Sequence, residues 1–425
     1  MGNLSGMTWT LVLTVFSVLL ALRVGAETWL DALNRQNVRA HANSAPDGVR
    51  EVMDAGTYAR SVQYTLAKST FGEWQGWYDA AWLFIWLGLG LLPPVYHGLA
   101  GIFGGSLWGQ TAVLCAVGLI MALPGLPWSW VSQFRLEAKF GFNKSTPKLW
   151  VTDLLKGAAL GLVIGYPLLC LVLWFVRWQP TWWWLWAWAA LFIFQLVMVA
   201  LAPRLIMPLF NKLTPMPEGE LRTRLLALAE RTGFHCSAID VMDGSKRSSH
   251  SNAFFTGFGR FRRIVLFDTL IAQLSERELE AVLAHEIGHY RRGHVPKMMA
   301  FSALMSLIAF GVIAWLAQQD WFYTGFRFNP ADGMPAALLL FAMISELFTF
   351  WFHPLGNIWS RRHEYEADAF ARNALGESAP LIGALRKLHE KNLSNLTPHP
   401  AYSFFHYSHP TLVERESALR ALAPA

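Results

Sequence analysis

The sequence predicts an α-helical polytopic membrane protein that carries a small α+β domain between two of its spans. Three observations lead there. First, 54% of the 425 residues are hydrophobic and only 15% are charged, where a soluble chain carries about 25% charged residues. Second, seven apolar runs approach the roughly 20 residues needed to cross the hydrocarbon of a bilayer. Third, the long stretch between the fifth and sixth runs loses that apolar character and reads as short strands and amphipathic helices. The net charge of +6 comes without a basic low-complexity arm, so it reads as a membrane-orientation bias and not as a nucleic-acid surface. Cys115, Cys170 and Cys236 are far apart, and two lie in apolar runs. They are expected to pack, with neither a disulfide framework nor a thiolate metal site.

The runs place spans at about Met7–Val24, Ala80–Tyr96, Ser106–Pro127, Gly157–Val176, Thr181–Ala202, Met298–Leu316 and Ala336–Phe352. The chain then divides into a membrane region with five spans (residues 1–202), an inserted domain (203–297), a hairpin of spans six and seven (298–352) and a C-terminal segment (353–425). The first run ends in V-G-A before Glu27, as a cleavable signal would, but no Lys or Arg precedes Arg23, so an uncleaved span is expected. Basic residues alternate between loops. Arg35, Arg39, Arg50, Arg60 and Lys68 follow the first span; Arg135, Lys139, Lys144, Lys148 and Lys156 follow the third. The alternate loops, between spans two and three, four and five, and six and seven, hold only Arg177 and Arg327. The positive-inside rule then puts the N-terminus outside, with the inserted domain and the C-terminus in the cytosol.

Within the inserted domain, Pro217–Thr232 has a helical pattern, and Ala238–Met242, Asn252–Phe258 and Arg263–Phe267 are strand candidates. A helix is expected over Glu276–His294. Ser275 and Glu278 form a capping box at its start, Leu274 and Leu279 a hydrophobic staple, and Pro296 lies near its end. This helix carries AVLAHEIGHYRRG, in which His285, Glu286 and His289 form H-E-x-x-H. Positions i and i+4 share one helix face, so both imidazoles can grip one ion, and Glu286 projects beside it where a water-activating base belongs.

Two histidines are too few for a catalytic zinc site, which needs a third protein ligand and an open position for water. SRRHEYEADAFA, after the seventh span, offers Glu364 as that ligand. Asp368, one turn on, is placed to hold a ligating histidine by its second ring nitrogen. His363 ranks below Glu364 as a ligand, and Glu366 points elsewhere, toward solvent. SHPTLVER near the C-terminus supplies His409 and Arg415 as donors for a developing oxyanion. The implied chemistry is metal-assisted hydrolysis, with Glu286 passing a proton from water to the leaving amine. Glu346, in the middle of the seventh span, is expected to face a water-filled interior, because an acid facing lipid costs several kcal/mol.

Several blocks together, FRLEAKFGFNKSTPKLWVTDLLKG, PRLIMPLFNKLTPMPEGEL, GSKRSSHSNAFFTGFGRFRRIVLFDTL, LAHEIGHY, SRRHEYEADAFA and SHPTLVER, resemble the integral-membrane CAAX prenyl endopeptidases of type I. That resemblance implies a hollow barrel of seven membrane helices around a water-filled chamber, with a zincin-like catalytic domain on the cytosolic side. It implies one Zn2+ held by His285, His289 and Glu364, Glu286 as base, and His409 and Arg415 near the scissile carbonyl. Asn252 would bind substrate backbone, and the substrate would be a peptide or protein prenylated at a C-terminal Cys. Short loops and an Ala-, Leu- and Trp-rich composition suggest a bacterial member, for which the bilayer would be the inner membrane. The alternative within this class is a broader membrane quality-control protease. A metal transporter is disfavoured, because transport ligands sit on broken helices at the bilayer midplane.

Overall fold

The computed structural model describes residues 2–236, 238–256 and 262–422. The membrane region begins with α1 (Gly2–Ala40), α2 (Ala55–Leu83) and α3 (Leu92–Phe103), followed by α4 (Leu107–Ala122), α5 (Pro147–Trp178) and α6 (Trp183–Leu205). The inserted domain contains β1 (Leu213–Pro215), α7 (Glu220–Arg231), β2 (Ala238–Met242), β3 (Ala253–Thr256), β4 (Arg263–Phe267) and α8 (Glu276–Arg291). Then α9 (His294–Leu316) and α10 (Gly333–Thr349) return the chain to the same end, where α11 (His353–Leu375), α12 (Ala379–Lys391), α13 (Pro400–His406) and α14 (Leu412–Ala421) close the fold. Among the described residues, six helices are long and apolar enough to cross a membrane, and a bent pair makes a seventh.

That bent pair is the run expected as one span over Ala80–Tyr96. It straddles a break instead: the helix through Gly88 and α3 meet at 67°. A π-turn at Phe84–Gly88, Gly90 at φ +76° and the prolines of LPP at the start of α3 account for it. Two consecutive prolines withdraw two donors from any continuing ladder. Two spans far outrun their apolar stretches; α1 has 39 residues and α5 has 32. The reason is visible in α1, where Arg23, Glu27 and Asp31 line an internal cavity and so interrupt the hydropathy without ending the helix.

The spans enclose a chamber of about 1270 Å³. Its wall draws on the spans at Arg23, Glu27, Asp79 and Glu346, and on the inserted and C-terminal segments at His250, Ser408, His409 and Thr411. Glu346 therefore faces the chamber, where its Oε1 lies 2.8 Å from Arg23 Nη2. Such a space exceeds the roughly 300–1,000 Å³ of ordinary small-ligand pockets.

The inserted domain builds a sheet in the order β1-β2-β4-β3, with β2 and β4 parallel and both outer pairs antiparallel. The strand expected over Asn252–Phe258 is observed as β3; Gly257 and Phe258 lie outside the described residues. One apolar core joins Leu225 and Leu228 of α7, Ile264 and Leu266 of β4, Leu283 and Ile287 of α8, and Ala371 and Leu381 of the C-terminal helices. The two segments on either side of the α9–α10 hairpin thus share a single interior, which holds α8 against α11.

Candidate active site

The start of α8 follows its sequence. Ser275 N donates to Glu278 Oε2 at 2.7 Å, and the Ser275 side chain accepts from Glu278 N. Lys387 Nζ of α12 donates to the same carboxylate at 2.7 Å, fastening the cap to the C-terminal layer. The helix stops at Arg291, short of the expected His294. Gly293, at φ +68°, turns the chain in the left-handed region before Pro296 can matter, and His294 opens α9.

Gly288, inside the motif, sets how near α11 comes. A Cβ there would lie 3.0 Å from Ala367 Cα and 3.1 Å from Phe370 Cβ. This close crossing brings H-E-x-x-H onto E-Y-E-A-D. His285 Nε2 and His289 Nε2 lie 3.1 Å apart, and the Glu364 oxygens lie 3.5 Å and 3.3 Å from them respectively. Ligands of a tetrahedral ion with bonds of about 2.0–2.1 Å would stand about 3.3 Å apart, so the spacing suits a bound metal. Two further observations agree. Glu364 Oε2 is buried without a hydrogen-bond partner. The carboxylates of Glu286, Glu364 and Asp368 outnumber the nearby cation Arg415 by two charges, which a divalent ion would balance.

Asp368 is buried and accepts from His285 Nδ1 at 2.8 Å. It is gripped in turn by the Arg415 fork, with Nε at 2.8 Å. Burial works against charge on His285, but the neighbouring carboxylates of Asp368 and Glu364 outweigh it and lift the imidazole to about 9. Burial raises the Glu286 carboxyl above its ordinary value, although His285 and His289 pull the other way. Glu286 borders a small void whose other wall is Ala253, Phe254 and Phe255. Edge strand β3 therefore runs beside it. Exposed Asn252 precedes that strand, its Oδ1 accepting from Ala253 N at 2.8 Å.

His409 is open to the chamber, its Nε2 3.5 Å from Glu364 Oε1. Arg415 is buried and bound to Asp368, with Nη1 3.4 Å from Glu364 Oε2. His363 is not in the metal-sized cluster; its ring stacks on His294. Reading by sequence passed over His294, and it set Glu366 in solvent. In the structure His294 touches His289, and Glu366 accepts from His294. The only signal was the third histidine in H-E-x-x-H-Y-R-R-G-H.

The chain matches two family models in succession: the CAAX prenyl protease N-terminal region with five membrane helices over residues 34–212, and peptidase family M48 over residues 215–423. CAAX prenyl protease 1 of Saccharomyces cerevisiae is 36% identical, over 97% of this chain and 95% of the relative. The Homo sapiens CAAX prenyl protease 1 homolog is 32% identical, over 93% and 92%. The crystal structure of S. mikatae Ste24p superposes with a TM-score of 0.88 at 36% identity, covering 97% of this chain and 98% of that one. Taken with the converging histidines and carboxylates, these matches make the chain a multi-pass membrane metallopeptidase that belongs to peptidase family M48.

Proposed function

We propose that the protein is a zinc endopeptidase that cleaves near the C-terminus of peptides or proteins bearing a prenylated CAAX cysteine. The observation that carries this reading is the donor set of His285, His289 and Glu364, spaced for a small tetrahedral ion, with His409, 3.5 Å from Glu364, standing on the wall of the chamber of about 1270 Å³. A nitrogen- and carboxylate-rich set with one vacant position suits zinc. When bound, zinc would lower the pKa of its water to about 7 and polarise the scissile carbonyl.

The chain's own groups supply the rest. An extended substrate adds to the edge of β3 that is unpaired among the described residues, with Asn252 binding its backbone and the scissile bond beside Glu286. Glu286 accepts the proton of the attacking water and returns it to the leaving amine. His409, on the open side, donates to the developing oxyanion. Asp368, fixed by Arg415, holds His285 by Nδ1 so that Nε2 faces the ion. The same reading puts the site, the C-terminus and residues 203–297 in the cytosol and the N-terminus outside, in accord with the Lys/Arg distribution.

Cleavage of a farnesylated C-a-a-X peptide by the purified protein, beside the same peptide without the lipid, tests the substrate class. Release of the last three residues from the farnesylated peptide alone is expected. Equal cleavage of both would replace CAAX processing by a broader membrane protease.

A further inference from the structure

Each histidine of H-E-x-x-H turns its second nitrogen to a different partner. For His285 the partner is Asp368. For His289 it is a chain of side chains from three helices. His289 Nδ1 lies 3.0 Å from His294 Nδ1, His294 Nε2 lies 3.1 Å from Glu366 Oε2, and Arg362 Nε lies 3.2 Å from Glu366 Oε1. The protons in this chain have one consistent arrangement. His289 Nε2 faces the metal-sized gap, so it must offer a lone pair and the proton sits on Nδ1. His294 Nδ1 must then accept, which leaves its proton on Nε2, pointed at a carboxylate that can only accept.

The packing keeps His294 in that pose. It is buried, and its ring lies flat on His363, with centroids 3.9 Å apart and planes within 9°; Trp359 backs His363 at 4.9 Å. The turn at Gly293 makes this possible, because an unbroken helix would carry position 294 around to another face.

We propose that His294 and Glu366 are positioning residues for the metal: through the His289 Nδ1–H bond they fix the tautomer and ring angle of His289, as Asp368 does for His285. Glu366 makes the His294 acceptor more basic by drawing on its other proton, and Arg362 keeps Glu366 in place. The inference rests on the zinc reading above. Both histidines are then braced from behind, one by an acid bonded directly to it and the other by an acid relayed through an imidazole.

The test uses the full-length protein in detergent, stripped of metal and titrated with zinc against a competing chelator. His294→Phe keeps a ring stacked on His363 but removes both nitrogens; His294→Asn keeps an acceptor near the Nδ1 position; Glu366→Leu removes the outer acid. Loss of an outer partner of a ligating histidine weakens metal binding about ten- to a hundredfold. That loss is expected for His294→Phe, and smaller losses for Glu366→Leu and for His294→Asn, which keeps the acceptor for His289 but gives up the link to Glu366. The cobalt(II)-substituted protein should show shifted visible bands in His294→Phe and wild-type bands in His294→Asn. Wild-type zinc affinity in His294→Phe, or equal weakening by Phe and Asn, would overturn the proposal. If Phe does not fold, Glu366→Leu decides, and unchanged affinity there overturns it. A wild type that takes up no zinc would overturn the zinc reading and this inference together.

Discussion

At the scale of single residues, the site is held by groups that never meet substrate. Asp368 serves two masters, His285 on one side and the Arg415 fork on the other. Asp368→Ala strips buried Arg415 of its hydrogen-bonded partner and leaves it the longer contact to Glu364 at 3.4 Å, a loss of up to about 3–5 kcal/mol, and frees His285 to rotate. A lowered melting temperature and metal binding weakened about ten- to a hundredfold are expected together; wild-type metal affinity in that variant would show that Asp368 does not orient His285. The sequence made these roles legible unevenly. His285 and His289, like Glu364 and Asp368, are i,i+4 pairs, and helical spacing alone puts each pair on one face. His294 and Glu366 meet only because the chain turns at Gly293 and two helices cross, and no local pattern encodes that meeting.

At the scale of elements, the contact of α8 with α11 decides whether the site exists. Gly288 permits a crossing that a methyl group would obstruct at Ala367 and Phe370. Gly288→Ala should therefore push the helices apart and weaken metal binding while leaving the apolar core largely closed. Retained wild-type affinity would mean that the backbone gives way locally. The cap of α8 is a separate device. Ser275→Ala is expected to cost about 1 kcal/mol, read as a fall in melting temperature. Burial alone would raise the Glu278 carboxyl, but the hydrogen bonds from Lys387 and Ser275 outweigh it and hold it below its ordinary value. Its folded pKa lies below the unfolded one, so its stabilisation is complete above the ordinary glutamate range and is lost as pH falls through the lowered value. Glu278→Gln should thus lower the melting temperature at neutral pH, with the deficit shrinking in acid; a deficit independent of pH would rule this out. The start of α8 was legible because a capping box is a local code. Its end was not, since Gly293 acts before the proline that hydropathy and spacing made prominent.

At the scale of the whole molecule, the spans form a chamber wall, and that explains where hydropathy misled. A helix with one face to lipid and one to water has no long unbroken apolar run. So α1 extends well past Val24 through Glu27 and Asp31, and Glu346 sits in mid-span against Arg23. Glu346→Leu would leave Arg23 without its nearest acid within the membrane region, and a lower melting temperature in detergent is expected with insertion unchanged. A more stable variant would place Glu346 against lipid. The number and order of spans were legible from composition; the break after Gly88 and the enclosed volume depend on how helices pack around water.

The account stands on Glu286 acting as base beside a bound zinc. The most direct measurement takes wild type and Glu286→Gln side by side, determines zinc per chain, and follows cleavage of a farnesylated C-a-a-X peptide. About one zinc in both is expected, with cleavage reduced about 10²- to 10⁴-fold in Glu286→Gln. Zinc retained in both with equal cleavage would contradict the mechanism.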